Sequence, residues 1–315
     1  MAVSIGFIML GFVLLYAGGE GLVRGAGGMA MRFGMSPFII GITVVAFATS
    51  APELAVSLHA AMAGADDVAI GNVVGSNIAN IGLVLGICAL IRPIEIEARI
   101  LRLDLPWLIF VSVLLITFLN DGFISRPAGL VFLVGLGAFL YTNIQVARRE
   151  QEDELARLKL DDIAPTRSRA VDLVLIGVGF CALVLGGAAF VRGGIGLATD
   201  LGVSPALIAL TVIALGTSLP ELATSVVASL KGDNDIAFGN VVGSNFFNIL
   251  AILGITAVFF PLERGDITMV DLTVLLLFSL ILVPLILVRN RIGRPEGLAL
   301  LVGYVAYMTW LIRQG

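Results

Sequence analysis

GITVVAFATSAPELAVSLHAAMAG, residues 41–64, returns as ALTVIALGTSLPELATSVVASLKG at residues 209–232. After a short acidic link, AIGNVVGSNIANIGLVLGICALIRPI (69–94) is matched by AFGNVVGSNFFNILAILGITAVFFPL (237–262). The copies 33–94 and 201–262 align without a gap at an offset of 168, the separation of Glu53 and Glu221. Roughly half of the aligned positions are identical, so the chain is built on an internal repeat. The match extends weakly upstream, where GGEGLVRG at 18–25 meets GGAAFVRG at 186–193.

Each copy is too apolar for a soluble domain. Hydrophobic residues make up 58% of the chain, charged ones only 13%, and the mean hydropathy is +1.05. Soluble domains are about a quarter charged. The charges gather in short clusters separated by apolar stretches of about 20 residues, the length that crosses a bilayer as a helix. The 37 glycines suit membrane helices, which associate through small residues. A net charge of −4 points to no nucleic-acid partner. Cys88 and Cys181 lie in apolar stretches and read as two packed thiols, not a disulfide. The first apolar run starts near Met1 without a basic leader or cleavage site, so it reads as a spanning helix and not a signal peptide.

Apolar runs predict ten spans, at 3–30, 37–63, 68–91, 104–120, 127–147, 171–198, 205–230, 236–260, 270–288 and 296–313. The expected fold is all-α and polytopic, with ten transmembrane helices in two five-helix repeats, 1–147 and 170–315. RREQEDELARLKLDDIAPTRSR (148–169) is the charged linker between them, too short for a separate regulatory domain. With both termini on one side, 15 lysines and arginines fall on the opposite side; only Arg126, Arg192, Arg264 and Arg313 stay with the termini. The basic side is expected to be cytoplasmic, which places the linker inside and both termini outside. An odd helix number per repeat orients the copies oppositely, the inverted-repeat design of secondary transporters.

Two acids stand inside the apolar runs. Glu53 and Glu221 hold the same place in TSAPE (49–53) and TSLPE (217–221), and an ionisable group at membrane depth is a functional hypothesis by default. Each follows a proline, which removes an amide donor and disturbs the preceding turn. Carbonyls around 46–49 and 214–217 are therefore expected to be freed. Thr49, Ser50 and Glu53 share one helix face, as do Thr217, Ser218 and Glu221. In the partner motif GNVVGSN, Asn72, Ser76 and Asn80 form a ladder four residues apart, matched by Asn240, Ser244 and Asn248. Asn77 and Asn245 lie one residue off it, and Gly71, Gly75, Gly239 and Gly243 permit close backbone approach. Such amides and serines also bond membrane helices together. The pocket offers carboxylates, hydroxyls, amides and carbonyls, with no imidazole or thiolate. That is an inventory for hard cations such as Ca2+ and Na+, not for zinc, copper or iron.

The duplicated GITVVAFATSAPE…GNVVGSNIAN and ALTVIALGTSLPE…GNVVGSNFFN resemble the alpha repeats of the sodium/calcium exchanger family, of bacterial or archaeal type, over essentially the whole chain. The resemblance implies a ten-helix fold with the second, third, seventh and eighth helices around the site, and the first and sixth sliding against that core. It assigns Glu53 and Glu221 as the main calcium ligands. Thr49, Ser50, Ser76, Thr217, Ser218 and Ser244 become sodium or calcium ligands, Ala46 and Ala214 contribute carbonyls, and Asn80 and Asn248 join the site. Family members often carry aspartate at one of these last two positions, and this chain has asparagine at both. The site then has two carboxylates, and three sodium ions would leave it with one formal positive charge.

The expected function is a secondary antiporter exchanging Na+ for Ca2+ at a midplane site, with no cofactor, no enzymatic activity and no obligate protein partner. The alternative counter-ion is H+, since a buried glutamate can trade a proton for a metal ion. An intramembrane enzyme fits poorly, because His59 is the sole histidine, HExxH is absent and no nucleophile elbow surrounds a serine. A channel fits less well than a carrier with buried carboxylates. His59 is expected to be packed or at a pathway edge, and Asp66, Asp67, Asp233 and Asp235 to be solvated link residues. The lack of a large soluble loop places the chain in a plasma or inner membrane.

Overall fold

The computed structural model describes residues 1–33, 35–96, 102–157, 168–202 and 214–314. Its elements are helices α1 (Ala2–Phe33), α2 (Pro37–Thr49), α3 (Ala51–Met62), α4 (Asp66–Ile91), α5 (Asp104–Asn120) and α6 (Arg126–Arg157) in the first half. The second half contributes α7 (Arg169–Asp200), α8 (Ala214–Thr217), α9 (Leu219–Lys231), α10 (Asn234–Phe259), α11 (Met269–Arg289) and α12 (Arg294–Gln314). Among the described residues, seven helices are long and apolar enough to cross a membrane. The pair α2 and α3, bent by 42°, makes an eighth if counted as one span. Helix α5 is shorter, and the start of the expected span 205–230 lies outside the described residues, as do Arg99, Lys159, Arg167 and most of the second half of the linker. Helix α6 runs to Arg157, ten residues into the stretch read as linker.

Four short strands show how the halves meet. Strand β1 (Ile94–Glu95) pairs antiparallel with β4 (Arg291–Ile292), and β2 (Phe123–Ile124) with β3 (Leu262–Glu263). Shifted by the repeat offset, β1 becomes β3 and β2 becomes β4. Each half therefore clips the other in the same way, Ile94 opposite Ile292 and Ile124 opposite Leu262. Such self-complementary contacts are the signature of a two-fold relationship.

Burial separates a core from a periphery. The most apolar windows of α4 and α10 are 72% and 89% buried, against 22% for α1 and 28% for α7. The two GNVVGSN helices are thus the inner members; Phe238 and Phe246 of α10 are buried, as are Phe132 and Phe139 of α6. The equivalent outer helices α1 and α7 lie antiparallel along a glycine seam. A Cβ at Gly11 would reach Phe190 N at 2.6 Å, at Gly18 Gly179 O at 2.8 Å, at Gly25 Asp172 O at 2.7 Å and at Gly193 Ser4 O at 2.6 Å. Backbones this close require glycine. Gly239 and Gly243 likewise face Phe38 O and Ile42 O of α2. Among the described residues, Gly71 meets only the Ile267 side chain and Gly75 has nothing near it. Cys181 is exposed on α7, contrary to a packed thiol, and Cys88 is buried.

Candidate functional site

The TSxPE motifs break their helices at the serine. Ser50 (φ −83°, ψ 1°) separates α2 from α3, and Ser218 (φ −86°, ψ 5°) separates α8 from α9. Pro52 and Pro220 then sit in the first turn of the new helix, where a missing amide costs nothing and the fixed φ favours helix. One residue later comes each glutamate. Glu53 and Glu221 therefore project from the N-terminal turns of α3 and α9, whose dipoles favour negative charge. Both are fully buried.

The partner helices supply the frame. Asn72 Nδ2 donates to the Glu53 carbonyl at 3.1 Å and to Ser57 Oγ at 3.0 Å; Asn240 Nδ2 donates to the Glu221 carbonyl at 3.4 Å and to Ser225 Oγ at 2.9 Å. Thr49 Oγ1 donates to Asn240 Oδ1 at 3.1 Å and lies 3.3 Å from Ser244 Oγ, and Thr217 Oγ1 donates to Asn72 Oδ1 at 3.3 Å. Ser50 Oγ donates to Glu221 Oε1 at 3.2 Å, while Ser218 Oγ donates to Ser76 Oγ at 3.1 Å. Asn80 Nδ2 donates to Asn245 Oδ1 at 3.3 Å, Asn248 Nδ2 to Asn77 Oδ1 at 2.9 Å and Asn77 Nδ2 to the Asn245 carbonyl at 3.3 Å. The helices widen into π-type turns beginning at Asn80 in α4 and at Phe247 in α10, a geometry common at functional sites.

Five buried oxygens at this interface have no hydrogen-bond partner: both of Glu53, Oε2 of Glu221, and Oδ1 of Asn80 and of Asn248. Among the described residues no lysine, arginine or histidine pairs with either glutamate. Uncompensated carboxylates are costly away from water, so the arrangement calls for positive charge delivered from outside the chain. No cluster of three histidine, cysteine or acidic residues exists among the described residues, and the remaining donors are neutral oxygens. Such a set suits Ca2+ and Na+, which accept carbonyl, amide and hydroxyl oxygen.

The residues named from sequence are thus largely gathered in one place. The Ala46 carbonyl, expected to be freed, accepts from Ser50 N–H at 3.0 Å, with the Thr49 hydroxyl oxygen 3.3 Å away, because the helix breaks one turn later. Ala214 opens α8. Sequence reasoning gave no role to Ser57 and Ser225, though each sits four residues after a glutamate on the same helix face. His59 is exposed on α3. Asp66 accepts an exposed hydrogen bond from the Glu263 amide at 3.0 Å.

A cavity of about 520 Å³ lies between α7 and the two helix breaks, lined by Pro52, Val56, Val184, Gly187, Thr217 and Pro220 among others. Its α7 residues lie beside the N-terminal half of α1. At the other end α1 closes against the core through Leu22, Val23, Ala26, Val45, Val227 and Ala228. Thr49 is fully buried, whereas its equivalent Thr217 is only half-buried and lines the cavity.

Comparison with known proteins adds an independent line. The profile described as "Sodium/calcium exchanger protein" matches residues 3–145 and again 171–313, the same offset as the repeat. "Putative antiporter CaxA" of Alkalimonas amylolytica is 40% identical over 98% of both chains. "Sodium/calcium exchanger MaX1" of Methanosarcina acetivorans is 33% identical over 96% of this chain and 97% of its own. The sodium-calcium exchanger NCX_Mj, in a structure determined with zero Na+ and Ca2+, superposes with a TM-score of 0.83 at 32% identity, over 98% of this chain and 99% of that one.

Proposed function

The chain belongs to the sodium/calcium exchanger family, and we propose that it is a secondary antiporter exchanging Na+ for Ca2+ by alternating access. The observation that carries this reading is the set of five unpartnered buried oxygens on Glu53, Glu221, Asn80 and Asn248. Two carboxylates are neutralised by one Ca2+ or by two Na+, and either cargo relieves the same buried charge. Exchange then follows from competition, because the empty carrier would have to expose or bury an uncompensated pair. In this reading Glu53 and Glu221 bind Ca2+, Thr49, Ser50, Ser76, Thr217, Ser218 and Ser244 add hydroxyl oxygens, and Ala46 and Ala214 offer carbonyls. Cation/calcium exchangers are carriers, so the chain is read as a transporter and not an enzyme. Its similarity to sodium/calcium exchangers supports Ca2+ with Na+ as cargo.

The architecture in this proposal is ten spans in two inverted five-helix repeats. Support comes from the equivalent helices α1 and α7, which run antiparallel, and from the exchanged strand clips. A two-fold axis perpendicular to such helices lies in the membrane plane, the inverted arrangement. Helices α1 and α7, one from each of the repeats 1–147 and 170–315, then slide against the core, with the basic side and the 148–169 segment cytoplasmic, both termini outside, and the cavity beside Thr217 opening outward from a plasma or inner membrane.

The deciding measurement is radioactive Ca2+ uptake into proteoliposomes loaded with Na+, against K+-loaded and pH-gradient controls. Uptake is expected with the outward Na+ gradient alone, and is expected to be lost in Glu53→Gln and Glu221→Gln. Uptake driven by a proton gradient instead would reassign the counter-ion to H+. Absence of gradient-driven uptake in folded protein would reject Ca2+ exchange.

A further inference from the structure

Asn72 and Asn240 use both ends of their amides, and the two sets of bonds are related by the repeat with one exchange. The donor end of Asn72 holds its own half, at the Glu53 carbonyl (3.1 Å) and Ser57 Oγ (3.0 Å), while its Oδ1 accepts from Thr217 of the other half (3.3 Å). The donor end of Asn240 holds the Glu221 carbonyl (3.4 Å) and Ser225 Oγ (2.9 Å), while its Oδ1 accepts from Thr49 (3.1 Å). The wiring is crossed. The glutamate-bearing helix of one half is linked through an asparagine to the threonine of the opposite half.

The chemistry of this link is specific to the amide. A threonine hydroxyl carries one proton and two lone pairs, and it can ligate a cation only when the proton points elsewhere. An amide oxygen takes that proton, so the lone pairs of Thr49 and Thr217 are left for an ion. The same side chain must also donate to a peptide carbonyl at the base of the glutamate, which a carboxylate cannot do and an aliphatic side chain cannot do at all. Asn240 is fully buried, where an unmade hydrogen bond costs most.

We infer that Asn72 and Asn240 are positioning residues of the exchanger, each orienting one glutamate-bearing helix together with the ion-facing hydroxyl of the opposite repeat. This rests on the reading of the site as a Na+ and Ca2+ site. Neither asparagine touches the cargo. Each makes the ligand geometry contributed by one half depend on the other half being in place, so the two repeats assemble one site and not two half-sites.

The test is a set of double-mutant cycles on the purified full chain, read by equilibrium binding of radioactive Ca2+ and by the Na+ concentration that displaces half of it. Asn240→Ala and Asn72→Ala are each expected to weaken binding about 3- to 10-fold, the range of one or two hydrogen bonds. The diagnostic is the pattern of coupling. Thr49→Val adds little once Asn240 is Ala, and Thr217→Val adds little once Asn72 is Ala. The uncrossed combinations, Thr49→Val with Asn72→Ala and Thr217→Val with Asn240→Ala, multiply. Coupling within each half, or uniform additivity with unchanged melting temperatures, overturns the inference. Should the alanine variants fail to fold, Asn72→Asp and Asn240→Asp keep the acceptor for threonine and lose the donors. There the penalty of Thr→Val at the crossed partner persists, and its disappearance overturns the inference equally. Ca2+ binding that Na+ does not displace rejects Na+ as counter-ion, while the cycles remain readable in Ca2+ affinity.

Discussion

Ser50 Oγ donates to Glu221 Oε1 at 3.2 Å, whereas its repeat equivalent Ser218 turns away from Glu53 and donates to Ser76 Oγ at 3.1 Å. The two glutamates are therefore unequal in this state, one carboxyl oxygen of Glu221 being held while both of Glu53 are unpartnered. A hydrogen bond to a charged acceptor is worth about 1.5–3 kcal/mol. Ser50→Ala is expected to weaken Ca2+ binding by about 10-fold or more, and Ser218→Ala by less. Titration of radioactive Ca2+ against both purified variants checks this, and equal losses would contradict it.

The amides at the bottom of the site are held by a second crossed pair. Asn248 Nδ2 is committed to Asn77 Oδ1 at 2.9 Å and Asn80 Nδ2 to Asn245 Oδ1 at 3.3 Å, which leaves the oxygens of Asn80 and Asn248 facing no donor. Asn77→Leu and Asn245→Leu would release these amides to rotate. Each is expected to lower Ca2+ affinity about 3- to 10-fold. Unchanged affinity in a variant that melts like the parent would show that the amide oxygens are not ligands.

Packing of the outer pair gives a prediction with an internal control. A Cβ at Gly18 or Gly179 would lie within 2.9 Å of backbone atoms on the facing helix, while one at Gly27 or Gly177 meets nothing within 4 Å. Gly18→Ala and Gly179→Ala should destabilise the protein by about 1–3 kcal/mol through overpacking. Gly27→Ala and Gly177→Ala should be neutral or stabilising by up to about 1 kcal/mol, since alanine is the better helix former. Thermal unfolding in detergent distinguishes the two classes, and indistinguishable melting temperatures would remove the seam from the account.

What could be read from the sequence follows from what the repeat encodes. Its constant offset identifies Glu53 and Glu221 as partners, and spacing of three and four residues places Thr49 and Ser50 on the glutamate's side of one helix. Spacing within a helix says nothing about which half a side chain faces, so the exchange of Thr49 to Asn240 and of Thr217 to Asn72 was not legible. Nor was the fate of the Ala46 carbonyl, since the proline rule reports which amide is missing and not where the chain breaks. The break falls at Ser50, and the Ser50 amide still bonds Ala46. Asymmetry is likewise invisible in a repeat. Thr49 and Thr217 occupy equivalent positions, yet one is sealed and the other lines a cavity, because α1 and α7 sit differently against the core.

That asymmetry is matched by an ion pair with no counterpart. Lys231 at the end of α9 lies 3.0 Å from Glu20 of α1, which also pairs with Arg24. The repeat-equivalent positions are Ala63 and Ala188, so the mirror-image state, with α7 closed and α1 open, lacks this contact. The pair thus favours the conformation in which α1 seals the core. Its side chains are about a quarter exposed, and pairs of that kind contribute little and are screened by salt. Glu20→Gln is expected to raise opening on the α1 side by about 1.5- to 5-fold. Val227, buried under α1 at 3% exposure, provides the reporter. In a Val227→Cys variant also carrying Cys181→Ala, a small thiol reagent should label faster when Glu20 is Gln, with Cys88 remaining buried. Raising the ionic strength should accelerate labelling with Glu20 intact and have little effect once it is Gln. Labelling that ignores both the substitution and the salt would mean that closure depends on the apolar contacts of α1 alone.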